Sequence, residues 1–328
     1  MNRDLRLLPK AHLHLHLEGA MRPATLAELA AEAGVPMPPI RGYTSFGEFG
    51  LQYRAASALI ETEAHLRRVV REVVDDAADD GAVWVEPHFY PPRYVGQLGS
   101  AEEVLEIVID EGQRAAAVRD IGCGWIVSAL RDFDPAQAVE LAELAAKYAA
   151  SGVVAFGLAA DEALYPPEPF AEAFGIARDA GLISAPHAGE LAGPASVYGA
   201  LDALGARRIC HGVRALEDPA LVERLAADEV VLDVCPTSNV MLAVVASIEE
   251  HPLVKLLDAG VRCSLNGDDP LLFGPGLLAE YELVRDTMGL ADEQLAQLAR
   301  SSLVGSGAPC ELIAEAVDHV EEWLTTAA

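Results

Sequence analysis

The 328 residues are 52% hydrophobic and 23% charged, without any low-complexity tract, and their formal net charge is −28. A chain this long buries a large core, and α/β barrels of this size are routinely one domain, so 1–328 reads as a single catalytic unit. The charge excludes nucleic-acid backbones and anionic membranes as partners, because a phosphate footprint needs clustered Lys and Arg, and the one basic cluster, Arg67-Arg68-Arg71, is diluted by acids.

Chain order begins with Ala11–His16, where His12, His14 and His16 alternate with apolar residues. In an extended strand, residues two apart share a face, so the three imidazoles project to one side. Further strands are expected at 82–88, 124–130, 153–158, 182–187, 208–211, 230–234 and 261–265. Amphipathic helical patterns separate most of them, among them Pro135–Ala150, Glu168–Ala180, Ser196–Gly205, Asp218–Ala227 and His251–Ala259. Eight strands alternating with helices predict a parallel (β/α)8 TIM barrel. An open doubly wound sheet fits less well, because strand one is not followed by a glycine-rich phosphate loop.

The first connection, from Gly19 to Ala82, is too long for a simple crossover. It holds a helix at Thr25–Ala33, a Pro-rich loop at Val35–Ile40 and an aromatic-rich helix at Ser45–Leu59. Active sites of such barrels lie at the C-terminal face, so about 35–70 is expected to form a helical flap there, with Phe46, Phe49 and Tyr53 lining a pocket. The Ala-rich stretch Leu141–Ala160 contains Glu143, Lys147 and Ser151, which argues against a membrane span. Five cysteines without a CxxC pair, and an N-terminus without a secretory apolar core, fit a reduced, cytoplasmic setting.

The chemistry gathers at strand ends. Strand five ends in Pro186-His187-Ala188-Gly189-Glu190, strand six in Cys210-His211-Gly212, and strand eight in Ser264-Leu265-Asn266-Gly267-Asp268-Asp269. On a barrel these ends converge with strand one. His14, His16, His187 and Asp268 then form a nitrogen and carboxylate set suited to one zinc or iron ion with an open position for water. His12 lies deeper and reads as a hydrogen-bonded packing residue. Glu190 is placed to pass protons, His211 to polarise or deprotonate the water, and Asp269 to accept a substrate proton.

The runs PKAHLHLHLEG, HAGE (His187–Glu190), CHGVR (Cys210–Arg214), DVCPTSN (Asp233–Asn239) and SLNGDDP (Ser264–Pro270) resemble the adenosine deaminase family, in the same order and over nearly the whole chain. The resemblance implies one Zn2+ per chain in an amidohydrolase-type barrel, and replacement of a purine 6-amino group by oxygen with release of ammonia. It implies His14, His16, His187 and Asp268 as zinc ligands, Glu190 as the proton donor to purine N1, and His211 as the residue that orients and activates the nucleophile. Asp269 would hold the nucleophile or the purine N7 edge, and His16, Glu18 and Ala160 would also face the substrate, Ala160 through its backbone N–H toward N3.

The expected substrate is a small purine nucleoside, adenosine or 2′-deoxyadenosine. Two departures point elsewhere within the same chemistry. Glu18 stands where adenosine enzymes usually carry Asp, and is similar to the adenine deaminases; Gly157 stands where they often carry an acid. Pro166-Pro167-Glu168-Pro169-Phe170 is also similar to the adenine enzymes, whereas HAGELAGP and DDPLLFG resemble bacterial adenosine deaminases. The alternatives are free adenine and a 5′-modified adenosine such as aminodeoxyfutalosine, whose extra group would meet Arg22 or the flap.

Overall fold

The structure, a computed structural model, describes residues 3–325. Eight strands form the barrel: Lys10–His16, Ala82–Phe89, Trp125–Leu130, Val153–Ala159, Ile183–Ala188, Arg208–His211, Val231–Val234 and Arg262–Leu265. Each pairs in parallel with the next in chain order, and a two-residue strand, Gly122–Cys123, adds to the second. Most of these strands are near-continuous buried runs, as the fourth (VVAFGLA) shows, because helices cover the outside while side chains fill the inside. The expected (β/α)8 barrel is the fold.

Closure between strands eight and one rests on few bonds. His16 N–H donates to the Asp268 carbonyl and Asp268 N–H to the His14 carbonyl, both at 3.0 Å. Below them the Asn266 side-chain oxygen accepts from the backbone N–H groups of Leu13 (2.7 Å) and His14 (3.0 Å). The barrel is therefore nearly closed, and it is pinned at the residues that carry the site.

The first connection contains α1 (Pro23–Glu32), α2 (Phe46–Ser57) and α3 (Glu63–Asp79), and α4 (Ala101–Arg119) follows strand two. Ser45 caps α2 and Thr62 caps α3, each accepting the N3 backbone N–H. Helix α3 packs against α4 and strand two, so residues 63–70, read above as part of the insertion, lie in the outer ring. The strongly amphipathic face of α3, with Leu66, Val69, Val70, Val73 and Val74 buried, explains this boundary.

Other helix boundaries move by a few residues where caps decide them. The run from Pro135 ends at Lys147, and Glu168–Phe170 is a 3-10 turn before the helix Ala171–Asp179. The next begins at Pro194 rather than Ser196, and the last is shorter, Leu253–Asp258. Past strand eight the chain is helical, and Asp292–Gly305 packs across strands eight and one to complete the ring. Among the described residues no helix is long and apolar enough to cross a membrane.

Candidate active site

The alternation in strand one separates its three histidines by depth. His12 accepts a hydrogen bond from the Gly267 N–H (3.0 Å), which makes it a packing residue below the site. His14 and His16 lie higher, where His187 from strand five, His211 at the end of strand six and Asp268 after strand eight converge with them. Both His211 (φ 67°) and Asp268 (φ 58°) hold left-handed backbone conformations, a strain that recurs where a chain must aim a functional side chain.

Backbone carbonyls stand behind two of these imidazoles. His14 Nδ1 meets the Asp233 carbonyl at 3.2 Å and His187 Nδ1 meets the Leu158 carbonyl at 3.0 Å. A carbonyl only accepts, so each Nδ1 carries a proton and Nε2 is the atom left to ligate. Those two Nε2 atoms face each other at 3.1 Å. Asp268 Oδ1 lies 3.4 Å from Nε2 of both His14 and His16, and its Oδ2 accepts from the Ser238 hydroxyl at 2.6 Å. Imidazole nitrogens and a carboxylate converging on one point make a donor set for a cation. The set His14, His16, His187 and Asp268 thus fits a divalent metal, with outer hydrogen bonds orienting the ligands.

Above this cluster opens a cavity of about 520 Å³. Glu190 lines it beside His211, with Oε1 at 3.5 Å from His211 Nε2. Burial pushes the Glu190 carboxyl well above its ordinary pKa, reinforced by the negative charges of Asp268 and Glu162. Asp269 Oδ1 is buried without a protein partner. Gly19 makes room for it: a Cβ there would sit 1.6 Å from that oxygen. Glu190, Asp269, His211 and the candidate ligand set therefore face one cavity, a set able to add water across an electron-poor C–N centre.

The profile of the adenosine deaminase family matches residues 9–323. The chain belongs to that family. A Streptomyces coelicolor relative provisionally named adenosine/adenine deaminase is 46% identical over 339 residues, covering 98% of either chain. An adenine deaminase of Sinorhizobium medicae is 37% identical over 302 residues, 90% of this chain and 93% of that one. The crystal structure of an adenine deaminase from Arthrobacter aurescens has a TM-score of 0.90 at 30% identity, covering 97% of this chain and 99% of the other. A zinc-bound amidohydrolase from Burkholderia ambifaria has a TM-score of 0.88 at 26% identity, with 98% and 93% covered. The chain is accordingly a hydrolytic deaminase acting on C–N bonds, of a metal-dependent superfamily.

Within this deaminase the remaining expected residues fall as follows. Glu18 is buried, and its carboxylate accepts from the hydroxyls of Tyr53 (2.8 Å) and Tyr94 (2.9 Å), with Arg93 Nε at 3.5 Å. Phe46, Phe49 and Tyr53 of α2 line the cavity. Ala160 also lines it, at φ 78°, so alanine there holds a glycine-favoured conformation at about 1–2 kcal/mol. Arg22 is a correction: it is bound to Asp76 of α3 (2.6 Å) and does not line the cavity, whereas Arg54 and Arg93 do.

Some residues escaped sequence reasoning. The Glu162 carboxylate accepts four successive backbone N–H groups, those of Gly189 (2.5 Å), Glu190 (2.9 Å), Leu191 (2.8 Å) and Ala192 (3.1 Å), and so holds the loop that aims Glu190. The buried Arg131 braces the same turn through the His187 and Tyr165 carbonyls. His88 fills the space left by Gly157: its Nδ1 is 2.7 Å from Ser128 Oγ, and a Cβ on Gly157 would sit 2.6 Å from that hydroxyl and 3.1 Å from His88 Nδ1. The DE pair at Asp161-Glu162 was visible in the sequence, but which backbone it would hold was not.

Proposed function

We propose that the protein hydrolyses the 6-amino group of an N9-substituted adenine, with adenosine or 2′-deoxyadenosine as its substrate. The observation that carries this reading is the cavity. Its inner half is the His/Glu/Asp cluster, and it continues outward past Tyr90, Arg93, Asp132, Phe133 and Gln137. At about 520 Å³ it falls in the range of roughly 300–1,000 Å³ that encloses drug-sized ligands, and it exceeds what a free base fills. A polar outer half offers hydrogen-bond partners to a sugar.

His14, His16, His187 and Asp268 would hold one zinc ion. When bound, it supplies a water nucleophile at neutral pH. Glu190 donates its proton to purine N1, which withdraws electron density from C6 as the nucleophile adds. A carboxyl with a raised pKa suits that task, because it remains protonated near neutral pH. His211 orients the nucleophile, and Asp269 accepts a hydrogen bond or proton at the cavity's polar edge. The backbone N–H of Ala160 faces N3, and the aromatic side chains of α2 exclude bulk water. The C6–N bond breaks as one proton of the added water passes by way of Asp269 to the amino nitrogen, which leaves as ammonia; the other proton restores Glu190, and C6 keeps the oxygen.

Free adenine is the second reading, and one specific observation favours it. Both oxygens of Glu18 are occupied by tyrosine hydroxyls, so this carboxylate forms a fixed wall rather than a free partner for a ribose. Relatives named adenine deaminase support the same reading. Steady-state kcat/KM of the zinc-loaded protein for adenosine, 2′-deoxyadenosine, adenine and a 5′-substituted adenosine separates them, followed as loss of the adenine absorbance band. Adenosine is expected to lead the series; a higher value for adenine would replace the first reading with the second.

A further inference from the structure

The DVCPTSN run ends in Asn239, which the chemistry above does not use, and His251 begins a helical pattern without any assigned task. Both are buried, and they join His211 in one chain of hydrogen bonds. The Leu253 N–H donates to His251 Nδ1 (3.2 Å), His251 Nε2 lies 3.1 Å from Asn239 Oδ1, and Asn239 Nδ2 lies 3.1 Å from His211 Nδ1.

The direction of this chain follows from its first member. A backbone N–H only donates, so His251 Nδ1 is an acceptor and the ring's proton sits on Nε2. Burial lowers the His251 pKa to about 4, which keeps the ring neutral. His251 Nε2–H then donates to the amide oxygen of Asn239. The amide nitrogen of Asn239 in turn donates to His211 Nδ1. That leaves the His211 proton on Nε2, the atom that lies 3.5 Å from Glu190 Oε1 and 3.8 Å from Asp268 Oδ2.

We propose that Asn239 and His251 are positioning residues that lock His211 in its Nε2–H tautomer, so that His211 meets the reacting centre as a hydrogen-bond donor. In this form His211 orients the nucleophile and stabilises developing negative charge; its Nε2 is not free to take a proton. The earlier alternative for this residue, polarising or deprotonating, narrows to the first. The inference rests on the deaminase reading for its catalytic consequence but not for the tautomer itself.

The test is ring nitrogen NMR on zinc-loaded protein labelled with 15N-histidine, the His211 signals being assigned by their loss in His211→Asn. The wild type should show His211 protonated at Nε2. Asn239→Asp changes little volume but leaves only acceptors at 239, so His211 should switch to Nδ1–H and kcat should fall about 10- to 100-fold at unchanged zinc content. His251→Gln keeps one acceptor and one donor and should retain the tautomer and most of the rate, whereas His251→Leu should lose both. Protonation of wild-type His211 at Nδ1, or an Asn239→Asp protein with unaltered tautomer and rate, would overturn the proposal. The expected tautomers in a protein that turns over no 6-aminopurine would instead overturn the deaminase reading and leave the relay standing.

Discussion

Two imidazole Nε2 atoms 3.1 Å apart, each with a carbonyl behind its ring, are placed to share one divalent cation. His187→Ala removes one of these donors without touching Glu190. Elemental analysis of that variant should show a zinc content well below one per chain, with at least a tenfold loss of affinity; full stoichiometry would remove His187 from the ligand set. Glu190 gives the pH dependence. The reaction needs its protonated form, and burial, then Asp268 and Glu162, raise its pKa. The sign follows: kcat/KM should hold through neutral pH and fall as pH rises through that raised value. A profile that instead keeps climbing into the alkaline range contradicts the proton-donor role.

At the scale of elements, the connection between strands one and two does most to shape the substrate side. Helix α2 reaches the pocket through Tyr53, whose hydroxyl is bound to Glu18, and through Phe49, whose ring stacks on Phe273 at 5.2 Å. Hydrogen bonds to a charged partner contribute about 1.5–3 kcal/mol. Tyr53→Phe should therefore raise KM for the purine about tenfold or more at constant zinc content, read by steady-state kinetics; an unchanged KM would mean that α2 does not shape the bound state. The aromatic spacing of α2 was legible because Phe46, Phe49 and Tyr53 recur at helical intervals. The end of the insertion was not, because the amphipathic pattern of α3 reads the same whether its apolar face meets a flap or the outer ring. Arg22 failed for a similar reason: sequence shows a cation near the site but not the Asp76 carboxylate, 54 positions away, that binds it.

For the whole molecule, the barrel was readable because eight apolar runs alternate with amphipathic helices, and the site because ligand-type residues sit at their C-terminal ends. What holds those ends was hidden, since it depends on backbone groups meeting side chains across the barrel: Glu162 on residues 189–192, and Asn266 on strand one. Asn266→Ala strands two buried N–H groups at the closure, each costing about 1–3 kcal/mol. Denaturant unfolding should register a loss of about 2–6 kcal/mol, and a loss under 1 kcal/mol would place closure elsewhere. The proposed reaction is a metal-assisted attack at C6 that depends on a proton from Glu190. Its most direct test compares kcat for adenosine between wild type and Glu190→Gln at matched zinc content, following ammonia release. The wild type should turn over adenosine, and the variant, whose amide cannot protonate N1, should show at least a 100-fold lower kcat. Equal rates for the two proteins would contradict it.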